Sequence, residues 1–509
     1  MIIASFLLLL FFELPAAAEP FVPGQALDQP LVAQVAATAL AFMAPRTLEA
    51  VPVWQLALWG LRGLTTLDPR LTVELREDGL QLAIGRPGAG PRLLAARGPP
   101  APEDAEAWGA AVAQLVRAAW DASEAVRRAG TQGVLRSFFD ELFNHLDPYS
   151  RYAPPAEAAT DRLHRTGQAG IGVQLARRGG GFTVQEVAAE GPAAQAGIRA
   201  GDQILAVDGQ TTQGADLESL NALLAGPEGT RVTVSLRGHD GRTHTLELVR
   251  ALVPPETVLP ARIGDLLLLR ITSFASDTGA RLAHEIVRGL NGPHPPRGLV
   301  LDLRGNRGGL LRQAAVAAST LIPDGVVAMT LGRDPAAAHD FRADGTDLGR
   351  GLPVVVMVDG RSASAAEILA AALADQGRAV VVGSSTLGKG LVQTIAPLPD
   401  GGELLITWSR VLAPIGWPIQ GLGVLPQVCT SQGVESLLRQ VTELAHGRSL
   451  LARALQRHRS ARAPLPPAEM LEIRSACPAA EGHDSDLLAA RMLIDTPAAY
   501  TAALLGPPR

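Results

Sequence analysis

Val354-Val355-Val356-Met357-Val358-Asp359-Gly360-Arg361-Ser362-Ala363-Ser364-Ala365-Ala366-Glu367-Ile368 is the stretch on which the fold is read. Five consecutive apolar residues, four of them valine, suit a strand covered on both faces. The polar, glycine-bearing turn after them ends that strand, and residues 365–373 continue as a helix rich in alanine and leucine. The same order recurs along the chain. Residues 266–271, 298–303, 379–382 and 404–411 are further strand candidates, residues 277–290 and 310–321 are helical, and the polar, glycine-rich residues 331–351 read as a loop insertion. Alternation of this kind predicts α/β layers. Serine at a strand-to-helix junction has two readings. As an N-cap it satisfies the first helical N–H groups; as a nucleophile it sits where those groups and the helix dipole favour a developing oxyanion. Ser362 and Ser364 both stand at this junction.

A second junction is Asp302-Leu303-Arg304-Gly305-Asn306-Arg307-Gly308-Gly309-Leu310. It also gathers free N–H groups between a strand and a helix. It lacks the full Gly-x-Gly-x-x-Gly pattern and the phosphate-loop lysine, so it is read as an oxyanion site rather than a nucleotide loop. The third stretch is Ser384-Ser385-Thr386-Leu387-Gly388-Lys389-Gly390-Leu391-Val392-Gln393-Thr394. Of the 45 Lys and Arg residues, Lys389 is the single lysine. Arginine stays protonated, whereas a desolvated ammonium can lose its proton and act as a base. The glycines beside Lys389 imply close backbone packing around it.

At 509 residues the chain exceeds one ordinary domain. Its hydrophobic content of 47% and charged content of 19% are globular, and a net charge of −5 offers no basic surface for nucleic acid. The ten histidines show no ligand spacing, so no metal or cofactor is expected. Residues 1–18 contain an apolar run and then Ala16-Ala17-Ala18, which matches a secretory signal cleaved after Ala18 and places the protein outside the cytoplasm, in the periplasm or an equivalent compartment. No Lys or Arg precedes the run, which leaves an uncleaved membrane anchor open. In an exported chain the two cysteines, Cys429 and Cys477, are expected to pair.

Residues 19–160 read as a mainly helical domain. Residues 31–67 have helical periodicity with Trp54 and Trp59 assigned to the core, 71–94 alternate as a hairpin about Glu77-Asp78-Gly79, 103–128 form one amphipathic helix, and another follows Thr131. Residues 431–509 are again helical, with 461–467 a linker and no evident site. Between them, residues 165–252 are a separate unit of short strands and two helices. Its phrase Gly191-Pro192-Ala193-Ala194-Gln195-Ala196-Gly197-Ile198-Arg199-Ala200-Gly201-Asp202-Gln203-Ile204-Leu205-Ala206-Val207-Asp208-Gly209 resembles a PDZ domain. That resemblance implies strand addition of an extended peptide, with its C-terminal carboxylate held by the loop Gly170-Ile171-Gly172-Val173.

Leu303-Arg304-Gly305-Asn306-Arg307-Gly308-Gly309, Ser362-Ala363-Ser364-Ala365-Ala366-Glu367-Ile368 and Leu387-Gly388-Lys389-Gly390-Leu391-Val392-Gln393, in this order after a PDZ-like unit, resemble the carboxy-terminal processing peptidases. The resemblance implies a crotonase-like, ClpP-like α/β peptidase core over residues 253–430 with the PDZ domain inserted before it. It implies an exported serine endopeptidase that cleaves proteins near their C-termini, takes substrates with free apolar C-termini, and works through an acyl-enzyme. Carried over by motif, the nucleophile is Ser364, the general base Lys389 and the residue positioning it Gln393, one helical turn on if that segment is helical. Apolar neighbours such as Leu387 and Leu391 would desolvate the lysine. The backbone N–H groups of Gly308 and Ala365 would form the oxyanion hole, and Asp375 matches an acidic position of some members or is merely a helix-end residue. Arg307, Arg361, Ala366, Leu387, Ile415 and Gln427 depart from the family pattern without removing a catalytic side chain. Two rival functions remain from other classes. A catalytically weak PDZ adaptor leaves the lone lysine unexplained, and a crotonase-like acyl-CoA enzyme needs neither export nor a PDZ unit.

Overall fold

The computed structural model describes residues 26–506 apart from Asp78, Pro87, Ala189 and Glu190. The signal segment 1–18 lies outside the described residues. Among the described residues no helix is long and apolar enough to cross a membrane. The chain divides into two compact units, Met1–Ala44 with Val51–Pro154 and Leu398–Asp400, and Pro45–Ala50 with Pro155–Pro397 and Gly401–Arg509.

The first unit holds four helices, Gln29–Met43, Val53–Leu67, Ala105–Ala122 and Glu124–Phe143, and a three-stranded antiparallel sheet of Leu71–Arg76, Gly79–Arg86 and Ala89–Arg97. Several sequence expectations change here. The periodic run 31–67 is two helices, since residues 44–52 carry Pro45 and Pro52, which interrupt the helical hydrogen bonding. Trp54 and Trp59 are only half-buried; Trp59 stacks on His145 with ring centroids 4.6 Å apart, while the core is filled by Trp108. The run 103–128 is cut at Ser123, which ends one helix and caps the next. Its Oγ accepts from the Val126 N–H at 3.3 Å and donates to Asp68 Oδ2 at 2.6 Å. The hairpin gains a third strand because Gly88, at φ 72°, makes a second turn.

In the second unit the strands Thr243–Val249, Arg231–Arg237, Gln203–Val207, Gly181–Val187 and Val173–Arg178 lie side by side in that order. Val173–Arg178 is therefore an edge strand. The helix Leu217–Leu224, capped by Asp216 through the Ser219 N–H at 2.7 Å, contributes Leu220 and Leu224 to the core of this sheet. Gln168–Gly170 pairs antiparallel with Ala251–Val253 and closes the two ends of the insert.

The main sheet runs Val258–Ile263, Leu266–Ile271, Gly298–Asp302, Val354–Val358, Val380–Gly383 and Val428–Cys429. The first pair is antiparallel and the others are parallel. Alternation along Val354–Val358 explains its unbroken apolar run. Val354, Val356 and Val358 pack with the helices Thr278–Leu290, Leu311–Ser319 and Ala365–Asp375, while Val355 and Met357 pack with Val434–Ala445, Asp484–Asp495 and Pro497–Ala503. Both faces are buried, so every position of this strand is apolar. The C-terminal helices thus form one layer of the core. A second sheet joins His339–Ala343, Gly325–Gly332, Glu403–Leu412 and Leu391–Pro397. Residues 331–351 are consequently not a plain loop. His339–Ala343 is a strand whose mostly exposed side chains hid it in a polar stretch.

Candidate active site

Three loops leave the C-terminal ends of the adjacent parallel strands Gly298–Asp302, Val354–Val358 and Val380–Gly383. Sites of α/β sheets form at such strand ends. The middle loop carries Ser362 and Ser364. Ser362 is fully buried and its hydroxyl is committed: Oγ accepts the Asp359 N–H at 3.0 Å and donates to Leu303 O at 2.8 Å. Ser364, only half-buried, starts the helix Ala365–Asp375 at φ 56°, ψ −117°. A non-glycine residue in this region costs about 1–3 kcal/mol and persists only where its surroundings impose it. Ser364 and Glu367 stand at the N-cap and third positions of this helix, the arrangement of a capping box.

The restraint comes from Glu367, one turn into that helix and fully buried. Oε2 accepts the Ser364 N–H at 2.8 Å and the Lys389 N–H at 2.9 Å; Oε1 accepts the Gly388 N–H at 2.6 Å and the Thr386 hydroxyl. One carboxylate therefore joins the loop bearing Ser364 to the loop bearing Lys389. Burial pushes the Glu367 carboxyl up from its usual range, and the donors from Thr386, Gly388, Ser364 and Lys389 oppose that rise. Glu367 carries no role among the site residues expected from the sequence. A glutamate three residues after a serine at a helix start is the signal that marks it.

Lys389 is half-buried between glycines held against residues 419–421. A Cβ on Gly388, at φ 87°, would lie 3.0 Å from the Gly421 carbonyl carbon, and one on Gly390 would lie 2.2 Å from Gln420 N. Two expectations about this loop need correction. Leu387 is 48% exposed, so of the two apolar neighbours only Leu391 is buried. Gln393 lies in the strand Leu391–Pro397, so no helical turn relates it to Lys389; its Nε2 donates to Thr407 Oγ1 at 3.0 Å.

On the first loop, Gly308 packs against the serine. A Cβ there would sit 2.8 Å from Ser364 Cβ and 3.0 Å from Ala365 N, and φ is 99°. The Ala365 N–H has no acceptor among the described residues. The Gly308 N–H donates to Asn306 Oδ1 at 2.8 Å, and Asn306 is itself fixed by donating to Ile271 O at 2.7 Å. An oxyanion here must compete with the Asn306 carbonyl for that donor. Asp375 sits at the other end of the helix from Ser364, about 16 Å away at 1.5 Å per residue. It accepts from Trp417 Nε1 at 2.8 Å and Arg459 Nε at 3.1 Å, and burial raises its carboxyl. It is a helix-end residue holding the C-terminal region, not a member of the group at Ser364.

In the loop 170–173, Gly170 ends a short strand, Ile171 is buried and its carbonyl accepts the Ala193 N–H at 2.9 Å. Gly172 has φ 79° and its carbonyl accepts the Ala188 N–H at 2.9 Å; Val173 begins the edge strand.

The model of peptidase family S41 matches residues 265–430, and that of the PDZ domain matches residues 183–238. The chain is 33% identical over 307 residues to the carboxy-terminal-processing protease of Bartonella bacilliformis, covering 59% of this chain and 70% of that protein. It is 35% identical over 323 residues to the chloroplastic C-terminal processing peptidase of Tetradesmus obliquus, covering 59% and 68%. To the carboxyl-terminal-processing protease of Picosynechococcus sp. it is 34% identical over 299 residues, covering 56% and 70%.

Proposed function

We propose, for a chain that belongs to the carboxy-terminal processing proteases of peptidase family S41, that Ser364 is the acylated nucleophile and Lys389 its general base. The observation that carries this is the shared acceptor, Glu367 Oε2, which takes both the Ser364 and the Lys389 N–H. The strained backbone of Ser364 and the commitment of Ser362 to Leu303 support choosing the former. Neutral Lys389 takes the Ser364 proton as Oγ attacks the scissile carbonyl. The tetrahedral oxyanion is received by the Ala365 N–H and, once it displaces Asn306, by the Gly308 N–H. The lysine ammonium protonates the departing amine, and the acyl ester is hydrolysed by water that gives its proton to Lys389. Gln393 orients the lysine from the neighbouring strand.

The substrate tail adds to the edge strand Val173–Arg178, its terminal carboxylate on the N–H groups of residues 170–173 and its apolar last side chain beside the helix Leu217–Leu224. Export through residues 1–18 places this activity outside the cytoplasm. Incubation with a fluorophosphonate, followed by peptide mass analysis, tests the nucleophile. The adduct is expected on Ser364, with Ser364→Ala unable to cleave an unfolded protein ending in apolar residues. An adduct on Ser362, or cleavage by Ser364→Ala, overturns the assignment.

A further inference from the structure

Residues 477–483 join the helices Pro467–Arg474 and Asp484–Asp495 and form neither helix nor strand. Their backbone reaches all three loops of the site. Ala480 O accepts the Gly360 N–H of the nucleophile loop at 2.7 Å and the Ser384 hydroxyl of the lysine loop at 2.9 Å. The Ala480 N–H returns to Ser384 Oγ at 3.0 Å. Ser385 Oγ donates to Cys477 O at 2.6 Å. The Gly482 N–H donates to Asp359 Oδ2 at 3.2 Å, and the other oxygen of that carboxylate accepts from the Gly305, Arg361 and Ser362 N–H groups at 2.9, 3.0 and 2.9 Å. Arg304, on the first loop, donates to His483 O at 3.0 Å. The segment is pinned at its start by the Cys429–Cys477 disulfide to the strand next to Val380–Gly383, and just past its end by Thr430 Oγ1 donating to Asp486 Oδ1 at 2.5 Å.

Every one of these contacts except Arg304 to His483 O involves a buried group of the loops or a backbone N–H. None touches the hydroxyl of Ser364 or the ammonium of Lys389. We infer that residues 477–483 are a positioning strap of the catalytic centre, tied by the Cys429–Cys477 bridge, which fixes the nucleophile and lysine loops relative to one another. The strap complements Glu367: the carboxylate joins the two loops through their Ser364 and Lys389 amides, and Ala480 O joins them through Gly360 and Ser384. Both clamps converge on the same pair of loops, and the C-terminal region thereby contributes to turnover as well as to the core. Ser384, Ser385, Asp359 and the two cysteines are positioning residues and not catalytic ones. This inference rests on the Ser364 and Lys389 reading.

The test uses the full chain with two variants, Ser384→Ala and the double variant Cys429→Ala/Cys477→Ala. Hydrolysis of a short peptide that cannot engage the PDZ domain gives kcat and KM, fluorophosphonate labelling gives the acylation rate, and both are expressed per folded molecule from far-ultraviolet circular dichroism. Misplacement of a reacting group by about 1 Å costs on the order of a hundredfold. Each variant is therefore expected to lose about ten- to a hundredfold in kcat and in acylation rate, with KM within about twofold. A kcat per folded molecule equal to wild type in either variant overturns the strap, because a merely structural role lowers only the folded fraction. A rise in KM at unchanged kcat overturns it as well. Ser364→Ala and Lys389→Arg run alongside. If these two are inert while Ser384→Ala turns over normally, the strap alone fails; if either retains activity, the underlying assignment fails.

Discussion

Replacing Glu367 by glutamine exchanges one carboxylate oxygen of a fully buried side chain for an NH2 group and nearly keeps its volume. In the wild type each carboxylate oxygen accepts two donors, Ser364 and Lys389 N–H on one, Gly388 N–H and Thr386 hydroxyl on the other. An amide offers one acceptor oxygen and turns an NH2 group toward the remaining pair. Thr386 cannot simply rotate away without loss, because its Oγ1 already accepts the Val424 N–H at 2.7 Å. Whichever way the amide points, two donors lose their acceptor, either the buried pair from Gly388 and Thr386 or the part-buried pair from Ser364 and Lys389. At about 1–3 kcal/mol for each unsatisfied buried group, Glu367→Gln is expected to cost about 2–6 kcal/mol. Removing a charge whose burial is unfavourable offsets part of this. Since about 1.4 kcal/mol corresponds to tenfold in rate, expression of half the loss as separation of the two loops lowers kcat by about five- to 150-fold. Thermal melting and short-peptide kinetics on the same preparation read both effects. A Glu367→Gln protein with unchanged melting temperature and kcat within twofold would mean that this carboxylate does not align the two loops.

Gly308→Ala places a methyl group 2.8 Å from Ser364 Cβ on a backbone at φ 99°, so fluorophosphonate labelling should slow by tenfold or more; unchanged labelling means this glycine does not shape the site. Gly172→Val, at φ 79° with Ala188 Cβ only 3.2 Å from the new Cβ, should weaken cleavage of proteins with free apolar C-termini severalfold while leaving short-peptide hydrolysis intact, and equal loss on both would assign the loop to folding. His458, buried with Nε2 on Gly423 O at 2.8 Å, is held down to about 4 by desolvation. Its folded value lies below its unfolded one, so its contribution to stability is complete above about pH 6.5 and is lost as pH falls through about 4, by about 3 kcal/mol in all. Asp375 and Glu367, raised by burial, act with the opposite sign. The His458 share is therefore the difference between wild type and His458→Gln in melting between pH 6.5 and 4, and parallel curves would contradict it.

The main sheet was legible in the sequence where burial is complete. Val354–Val358 and Leu266–Ile271 stand out as apolar runs because both faces of the sheet are covered, and their limits could be read to the residue. Reading failed where a residue's partners are distant in sequence. Ser123 does not stand out within its helical run because its role depends on Asp68, 55 residues away. His339–Ala343 is hidden because an exposed edge strand carries polar side chains, and the four-residue interval from Lys389 to Gln393 suits one helical turn only if the segment is helical, a condition the strand Leu391–Pro397 does not meet. The three motifs each landed at a strand end, yet the group that connects them, Glu367, was inside a quoted motif and unassigned. The strap 477–483 left no local signal at all, since it acts through backbone atoms; only the pairing of Cys429 with Cys477 hinted that this region returns to the core.

The proposed chemistry turns on whether Lys389 moves the serine proton or only supplies positive charge. The most direct measurement is the fluorophosphonate acylation rate of Lys389→Arg between pH 6 and 9, on protein shown to be folded by its melting curve, beside wild type and Ser364→Ala. Arginine keeps the charge and cannot accept a proton in this range. Lys389→Arg is expected to be labelled and to hydrolyse peptide no faster than Ser364→Ala at every pH, whereas a folded Lys389→Arg protein acylated near the wild-type rate would rule out Lys389 as the base.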